Sequence, residues 1–278
     1  MNKKERCTVF GIGLVLLAIF TFTDLQISQG ICTKNIFGRI FEVIGELPFI
    51  FLATTAMVLL FRFRSKKYLA CNFLLGIFYG FLILLLASMG GFMLVNYLQD
   101  NLQVKLPLIV PILIGILILL GAILLARKVK EENKREALHY AIIAVCYFFA
   151  VLIVMNVLKA VWGRMRFREM TDPITQFTKW YVINDRGGFN NIYASFPSGH
   201  TMNSAGVILL TLLPTFLPRL KSKEKLFKGI TYSWIILVGL SRVVMGAHFA
   251  SDVTVGALLS LALFDIIRTI IKKLNKVK

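Results

Sequence analysis

About eight stretches of this chain are too long and too apolar to be hidden in a soluble core, and they decide its architecture before any motif is read. They lie near residues 7 to 23, 45 to 61, 70 to 96, 107 to 126, 138 to 158, 201 to 217, 229 to 246 and 250 to 267. A helix of about 20 apolar residues crosses the roughly 30 Å of bilayer hydrocarbon with its backbone amides paired internally. Hydrophobic residues make up 57% of the 278 positions, more than a globular interior of this size encloses. The expected fold class is all-α, a polytopic transmembrane helical bundle.

Basic clusters fall at alternate ends of these spans: Lys3, Lys4 and Arg6; Arg62, Arg64, Lys66 and Lys67; then Arg127, Lys128, Lys130, Lys134 and Arg135. Arg219, Lys221, Lys223, Lys225 and Lys228 follow, and Arg268, Lys272, Lys273, Lys276 and Lys278 close the series. By the positive-inside rule the chain is a multi-pass protein of the cell membrane with both termini in the cytoplasm. Loops 24 to 44, 97 to 106, 159 to 200 and the turn near 246 to 249 then face outward. The formal charge of +18 belongs mainly to cytoplasmic loops beside anionic lipid, and no basic soluble domain is present to bind nucleic acid.

The first span follows a basic start like a secretory signal, but no small-residue cleavage pattern follows Phe20 to Asp24, so it is read as a retained anchor. Cys7, Cys71 and Cys146 fall in or beside spans and Cys32 stands alone, which gives no disulfide framework and no metal-spaced cluster. Arg39, Glu42 and Glu46 recur at helical spacing before Pro48, as in an interfacial helix with a solvated polar face. The chain reads as one domain over residues 1–278.

Against this apolar background the rare polar residues are informative. Only three histidines occur. His248 precedes Asp252 by four residues, a spacing that on a helix sets both on one face, where the carboxylate can orient the ring of a histidine nucleophile. Gly246 marks a break between the helix starting at 229 and a new one carrying His248 and Asp252. Lys159 and Arg166 are seven residues apart, on nearly one face of a continuous helix and about 10 Å apart along its axis. Arg242 joins them on the outer side, with a guanidinium suited to phosphate. Pro197-Ser198-Gly199-His200 stands where the outer loop enters a helix, whose first amides are free to hold phosphate oxygens. Ser198 adds a hydroxyl, Gly199 allows close backbone approach, and His200 can reach a departing ester oxygen. Each piece alone has a plainer reading: snorkelling cations, a serine N-cap, a structural histidine. Together they describe a phosphate pocket.

Taken in order, Lys159 with Arg166, then Pro197-Ser198-Gly199-His200, then Ser241-Arg242 with His248 and Asp252 resemble the three motifs of the type 2 phosphatidic acid phosphatase superfamily. The resemblance implies a six-helix lipid-phosphatase core over approximately residues 130–270, to which residues 1–129 are an addition. It implies in-line attack on phosphorus by His248, a phosphohistidine intermediate, and His200 as the acid and then the base. Lys159, Arg166, Ser198, Gly199 and Arg242 bind the phosphate, and neither a metal nor a cofactor is required. One departure is Phe167, where the family usually has proline; Arg164 and Arg168 flank Arg166, but the seven-residue interval favours Arg166.

The implied partner is a membrane lipid phosphate in the bilayer, with undecaprenyl diphosphate, phosphatidylglycerol phosphate and phosphatidic acid as candidates, hydrolysed at the extracytoplasmic face. Phe177, Trp180, Tyr181, Phe189 and Tyr193 suit an interfacial aromatic belt or, with Gly187-Gly188 as a hinge, a lid; the belt is preferred. The competing class is a phosphate or lipid-phosphate transporter, which would hold its cations near the midplane in broken helices. A vanadate-type haloperoxidase shares the motifs but belongs to soluble chains. The sequence leaves oligomeric state open.

Overall fold

The structure is a computed structural model that describes residues 2–65, 67–188 and 190–274. Lys66, Phe189, Lys276 and Lys278, used in the sequence reading, lie outside those residues. No strand occurs among the described residues. The helices are α1 (Lys3–Ile31), α2 (Ile36–Ile44), α3 (Leu47–Arg62), α4 (Leu69–Leu102), α5 (Ile109–Arg127), α6 (Lys134–Trp162), the short α7 (Pro173–Gln176), α8 (Gly199–Ser204), α9 (Leu213–Phe216), α10 (Glu224–Val244) and α11 (Ala250–Leu274). Seven helical runs among the described residues are long and apolar enough to cross a membrane.

The sequence expectation of a span at 201 to 217 meets a different outcome. That stretch is α8, a 3₁₀ run over Ala205–Leu212 and α9, with Pro214 in the first turn of α9. Elsewhere the helices outrun the apolar stretches at their basic ends: α6 starts at Lys134 and α11 continues to Leu274. Charged side chains end the hydropathy signal without ending the helix.

The chain divides into two compact units. One comprises Met1–Gly45, Phe149–Ala205 and Tyr232–Ile266; the other comprises Glu46–Phe148, Gly206–Thr231 and Ile267–Lys278. In the first unit α1 buries Gly13, Leu17, Asp24 and Ser28, a stripe at spacings of four and seven, and leaves Leu14, Val15 and Phe22 exposed. Such a helix shows one narrow seam to protein and the rest to hydrocarbon. Three polar ties fix the seam: Arg6 to Asp265 at 2.8 Å, Tyr232 Oη donating to Glu5 at 2.9 Å, and Asp24 accepting from the Ser251 amide at 2.9 Å.

The second unit is packed through small residues. In α4 and α5, Gly91 lies against the Pro111 carbonyl, and a Cβ at Gly115 would sit 3.1 Å from the Ala87 oxygen. Small residues one turn apart let the two backbones approach where no larger side chain would fit. Phe49 of α3 rests on Gly206 and packs at 5.3 Å from both Tyr147 and Phe148. Tyr140 is buried and donates its hydroxyl to the Leu52 carbonyl at 3.1 Å, which satisfies a polar group that hydrocarbon would not.

Candidate active site

All eight residues expected to bind phosphate or react fall in the first unit. Backbone pairing brings their segments together. α6 ends at Trp162, and Gly163 follows at φ +61°, a left-handed conformation that glycine adopts without strain. The chain then runs alongside the 192–195 segment, the Arg166 amide donating to the Ile192 carbonyl at 2.9 Å and the Ser195 amide to the Arg164 carbonyl at 3.0 Å. The Ser198 amide donates to the Asp252 carbonyl at 3.1 Å, and the Arg168 amide to the Gly246 carbonyl at 2.9 Å. Three distant pieces of sequence are thereby laced into one surface.

Arg166 therefore does not ride on the helix of Lys159, as the seven-residue interval suggested. It is the residue just before a 3₁₀ turn, Phe167–Glu169, because Gly163 ends α6 one turn earlier. Its Nη2 donates to Asn191 Oδ1 at 2.7 Å. Lys159 donates to the Ala194 carbonyl at 3.3 Å, and its ammonium also lies against Gly199, where a Cβ would sit 3.3 Å from Nζ and 2.8 Å from Met155 Sδ.

Ser198 is the N-cap of α8, and its Oγ is within 2.9 Å of Thr201 Oγ1. The plain reading of this serine, a helix cap, is therefore present. Arg242 is buried near the end of α10. Its Nη2 donates to Glu42 Oε1 at 2.6 Å, while Nε and Nη1 have no hydrogen-bond partner among the described residues. Buried guanidinium N–H groups left without an acceptor are costly unless an anion takes them. Glu42 is correspondingly buried in α2, not on a solvated face.

The break at Gly246 is present, at φ +61°, but the new helix begins at Ala250, two residues after His248. His248 thus lies in the turn and does not share a helical face with Asp252. Its Nδ1 is 2.6 Å from the Ser195 carbonyl, an acceptor only, so Nδ1 carries the proton and Nε2 presents its lone pair. Among the described residues Asp252 makes no hydrogen bond to that ring. It accepts from Ser195 Oγ at 2.6 Å, from the Phe249 amide at 2.9 Å and from Arg164 Nη1 at 2.5 Å. Asp252 fixes the turn that carries His248 and the serine whose carbonyl orients it, and the expected direct orientation of the ring is corrected to this indirect one.

Arg164, Asp24, Ser195, Glu42 and Asn191 were not among the expected site residues. Arg164 is fully buried and joins Asp252 to Asp24, whose carboxylate receives Arg164 Nη2 at 3.0 Å and also the Ser251 hydroxyl. The guanidinium also reaches the Thr178 carbonyl at 3.0 Å and lies 4.1 Å from the Phe249 ring centroid. The sequence reading ended the first span at residue 23, whereas α1 continues to Ile31 and carries Asp24 within it; the serine gives no sequence signal. The aromatic loop turns partly inward: Phe177 stands edge-on to Phe249 at 5.3 Å, and Trp180 donates to Thr21 Oγ1 at 2.9 Å. Both are half-buried, contrary to a belt made of all these rings, whereas Tyr181 is exposed.

Electrostatically the site is a nest of cations around two neutral imidazoles. Burial pushes the His248 pKa well below the usual imidazole value, and Arg166, Lys159 and Arg242 push the same way. His200, whose Nε2 is 3.3 Å from the Glu42 carbonyl, is held well below that value by desolvation and by Arg242, Lys159 and Arg166. All three cations act on both rings, so the five side chains form one constellation.

Residues 139–276 match the family model of the PAP2 superfamily. Phosphatidylglycerophosphatase B of Bacillus subtilis (strain 168) is 39% identical over 84 residues, 30% of this chain. The chain spans 41% of the length of that relative. No solved structure matches significantly.

Proposed function

Since the chain belongs through residues 139–276 to the PAP2 superfamily, we propose that it is a membrane lipid phosphatase working through a phosphohistidine, with its site on the extracytoplasmic face. The observation that carries this reading is the set of three cations acting on two neutral imidazoles, one of which is held with Nε2 free.

A phosphorylated headgroup places its equatorial oxygens among Lys159, Arg166 and Arg242. The unengaged N–H groups of Arg242 then gain acceptors, and charge that develops on the oxygens is neutralised by groups already in place. His248 Nε2 attacks phosphorus in line, a P–N bond forms, and the bond to the leaving oxygen breaks. His200 gives that oxygen a proton; the anionic headgroup offsets the cations that otherwise hold this imidazole neutral. Water then attacks the phosphohistidine, His200 accepts its proton, and the P–N bond breaks to release phosphate. Asp252 and Ser195 position the nucleophile, and Asp24 with Arg164 hold Asp252.

A lipid substrate is supported by an apolar cavity of about 520 Å³ within the first unit, lined by α1, α10 and α11 and reaching Thr201 and Ala250 beside the phosphate-binding turn. A hydrocarbon chain placed there leaves its headgroup at Ser198. The name of the Bacillus relative puts phosphatidylglycerol phosphate first in the assay, with undecaprenyl diphosphate and phosphatidic acid beside it. Three fixed cations do the neutralising that a metal does in other phosphatases, so turnover is expected to continue in excess EDTA. The test is phosphate release from these lipids in neutral micelles by the purified protein and by His248→Ala. Turnover lost in the variant supports the proposal; lipid binding without turnover by the unaltered protein would make the site a transporter's.

A further inference from the structure

The third histidine has no part in this chemistry, yet it lines a second cationic cavity. Within the second unit a cavity of about 390 Å³ is bounded by Arg135 and His139 of α6 and by Arg268 and Lys272 of α11. Each pair is spaced by four residues, so each helix turns both of its basic side chains to one face. Arg135, Arg268 and Lys272 all act electrostatically on the His139 ring, with Glu136 as the one opposing charge. Three formal cations against one carboxylate, around a single cavity, repel one another unless an anion joins them.

Helix polarity sharpens the point. Arg268 and Lys272 lie near the C-terminal end of α11, where the helix dipole favours cations. Arg135 lies in the first turn of α6, where it disfavours them. The inner wall is apolar: the Tyr140 hydroxyl is committed to the Leu52 carbonyl, and Ile143 and Leu212 are buried. A basic rim over an apolar wall, at the ends of helices long enough to cross a membrane, matches a phosphate joined to hydrocarbon better than a free ion, which gains nothing from the wall.

We propose that the Arg135, His139, Arg268 and Lys272 cavity binds the phosphate of an anionic phospholipid headgroup. It does so on the side the positive-inside pattern assigns to the cytoplasm, with no catalytic residue in its lining. The site is independent of the phosphatase reading and is tested by binding. The full-length protein in neutral detergent is titrated with phosphatidylglycerol and with phosphatidylcholine and followed by native mass spectrometry. Arg135→Gln with Arg268→Gln should weaken the tightest phosphatidylglycerol step about tenfold and leave phosphatidylcholine binding and phosphatase turnover unchanged. Lys221→Gln with Lys223→Gln removes equal charge outside the cavity and should change that step less than about twofold. Equal weakening by both pairs, or no weakening by the first, would overturn the proposal. Displacement of the lipid by micromolar inorganic phosphate would assign the cavity to a soluble anion instead, and overturn it as well. Lys272→Gln, at an exposed position, serves if the first pair does not fold.

Discussion

Replacing Arg164 by methionine keeps most of the side-chain volume and removes one charge from the centre of the first unit. The guanidinium is fully buried, donates to Asp252 at 2.5 Å, to Asp24 at 3.0 Å, to Ser251 Oγ at 2.9 Å and to the Thr178 carbonyl at 3.0 Å, and has two phenylalanine rings beside it. Arg164→Met leaves Asp24 and Asp252, 2% and 0% exposed, without their shared cation. Removing one partner of a buried ion pair costs about 3–5 kcal/mol. A loss of about 4 kcal/mol multiplies the unfolding constant by roughly a thousand. Equilibrium unfolding of the purified protein in mixed micelles, followed by tryptophan fluorescence, measures it. Adding Asp24→Asn and Asp252→Asn removes the uncompensated charges and should recover more than half of the lost stability, although not activity. A loss below about 1 kcal/mol, the worth of a solvent-exposed pair, would refute the claim that Arg164 holds the site together.

The indirect link from Asp252 to His248 predicts that Ser195→Ala and Asp252→Asn each lower kcat by about ten- to a hundredfold, and that the double variant is little worse than either. A direct carboxylate–imidazole pair would leave Ser195→Ala near full activity. Since both imidazoles have lowered pKa values, His248 stays neutral on acidification until well below the ordinary imidazole range. The acid limb of kcat/KM, corrected for ionisation of the substrate, should therefore fall below about pH 6.5, and a limb above about pH 7 would contradict the burial argument. Gly199→Ala inserts a methyl 2.8 Å from Met155 Sδ and 3.3 Å from the Lys159 ammonium. It should raise KM about tenfold or more at unchanged melting temperature, as measured by initial rates.

The spans were legible because length and apolarity alone specify a membrane helix, and the site cations and histidines stood out because polar residues are scarce in such a chain. What was not legible depended on single backbone events. Gly163 in a left-handed conformation takes Arg166 off the helix of Lys159, and a helix starting at Ala250 instead of before His248 removes the shared face on which the pairing with Asp252 rested. Asp24, Glu42 and Ser195 acquire their roles from partners 140, 200 and 53 residues away, separations that no periodicity encodes. Asp24 and Glu42 belong to residues 1–129, read from sequence as an addition to the family core, and both supply buried carboxylates to the unit that holds the site. The apolar run after Ser204 continued the hydropathy pattern but not the α-helix, which passes into a 3₁₀ run at Ala205.

In the proposed reaction His248 Nε2 becomes covalently bound to phosphorus. Rapid quenching of the protein during turnover of a ³²P-labelled lipid phosphate, followed by peptide mapping under alkaline conditions, tests it most directly. The expected result is an acid-labile, base-stable label on His248 that is absent in His248→Ala. Phosphate release by His248→Ala at an undiminished rate, or a label on any other residue, would contradict it.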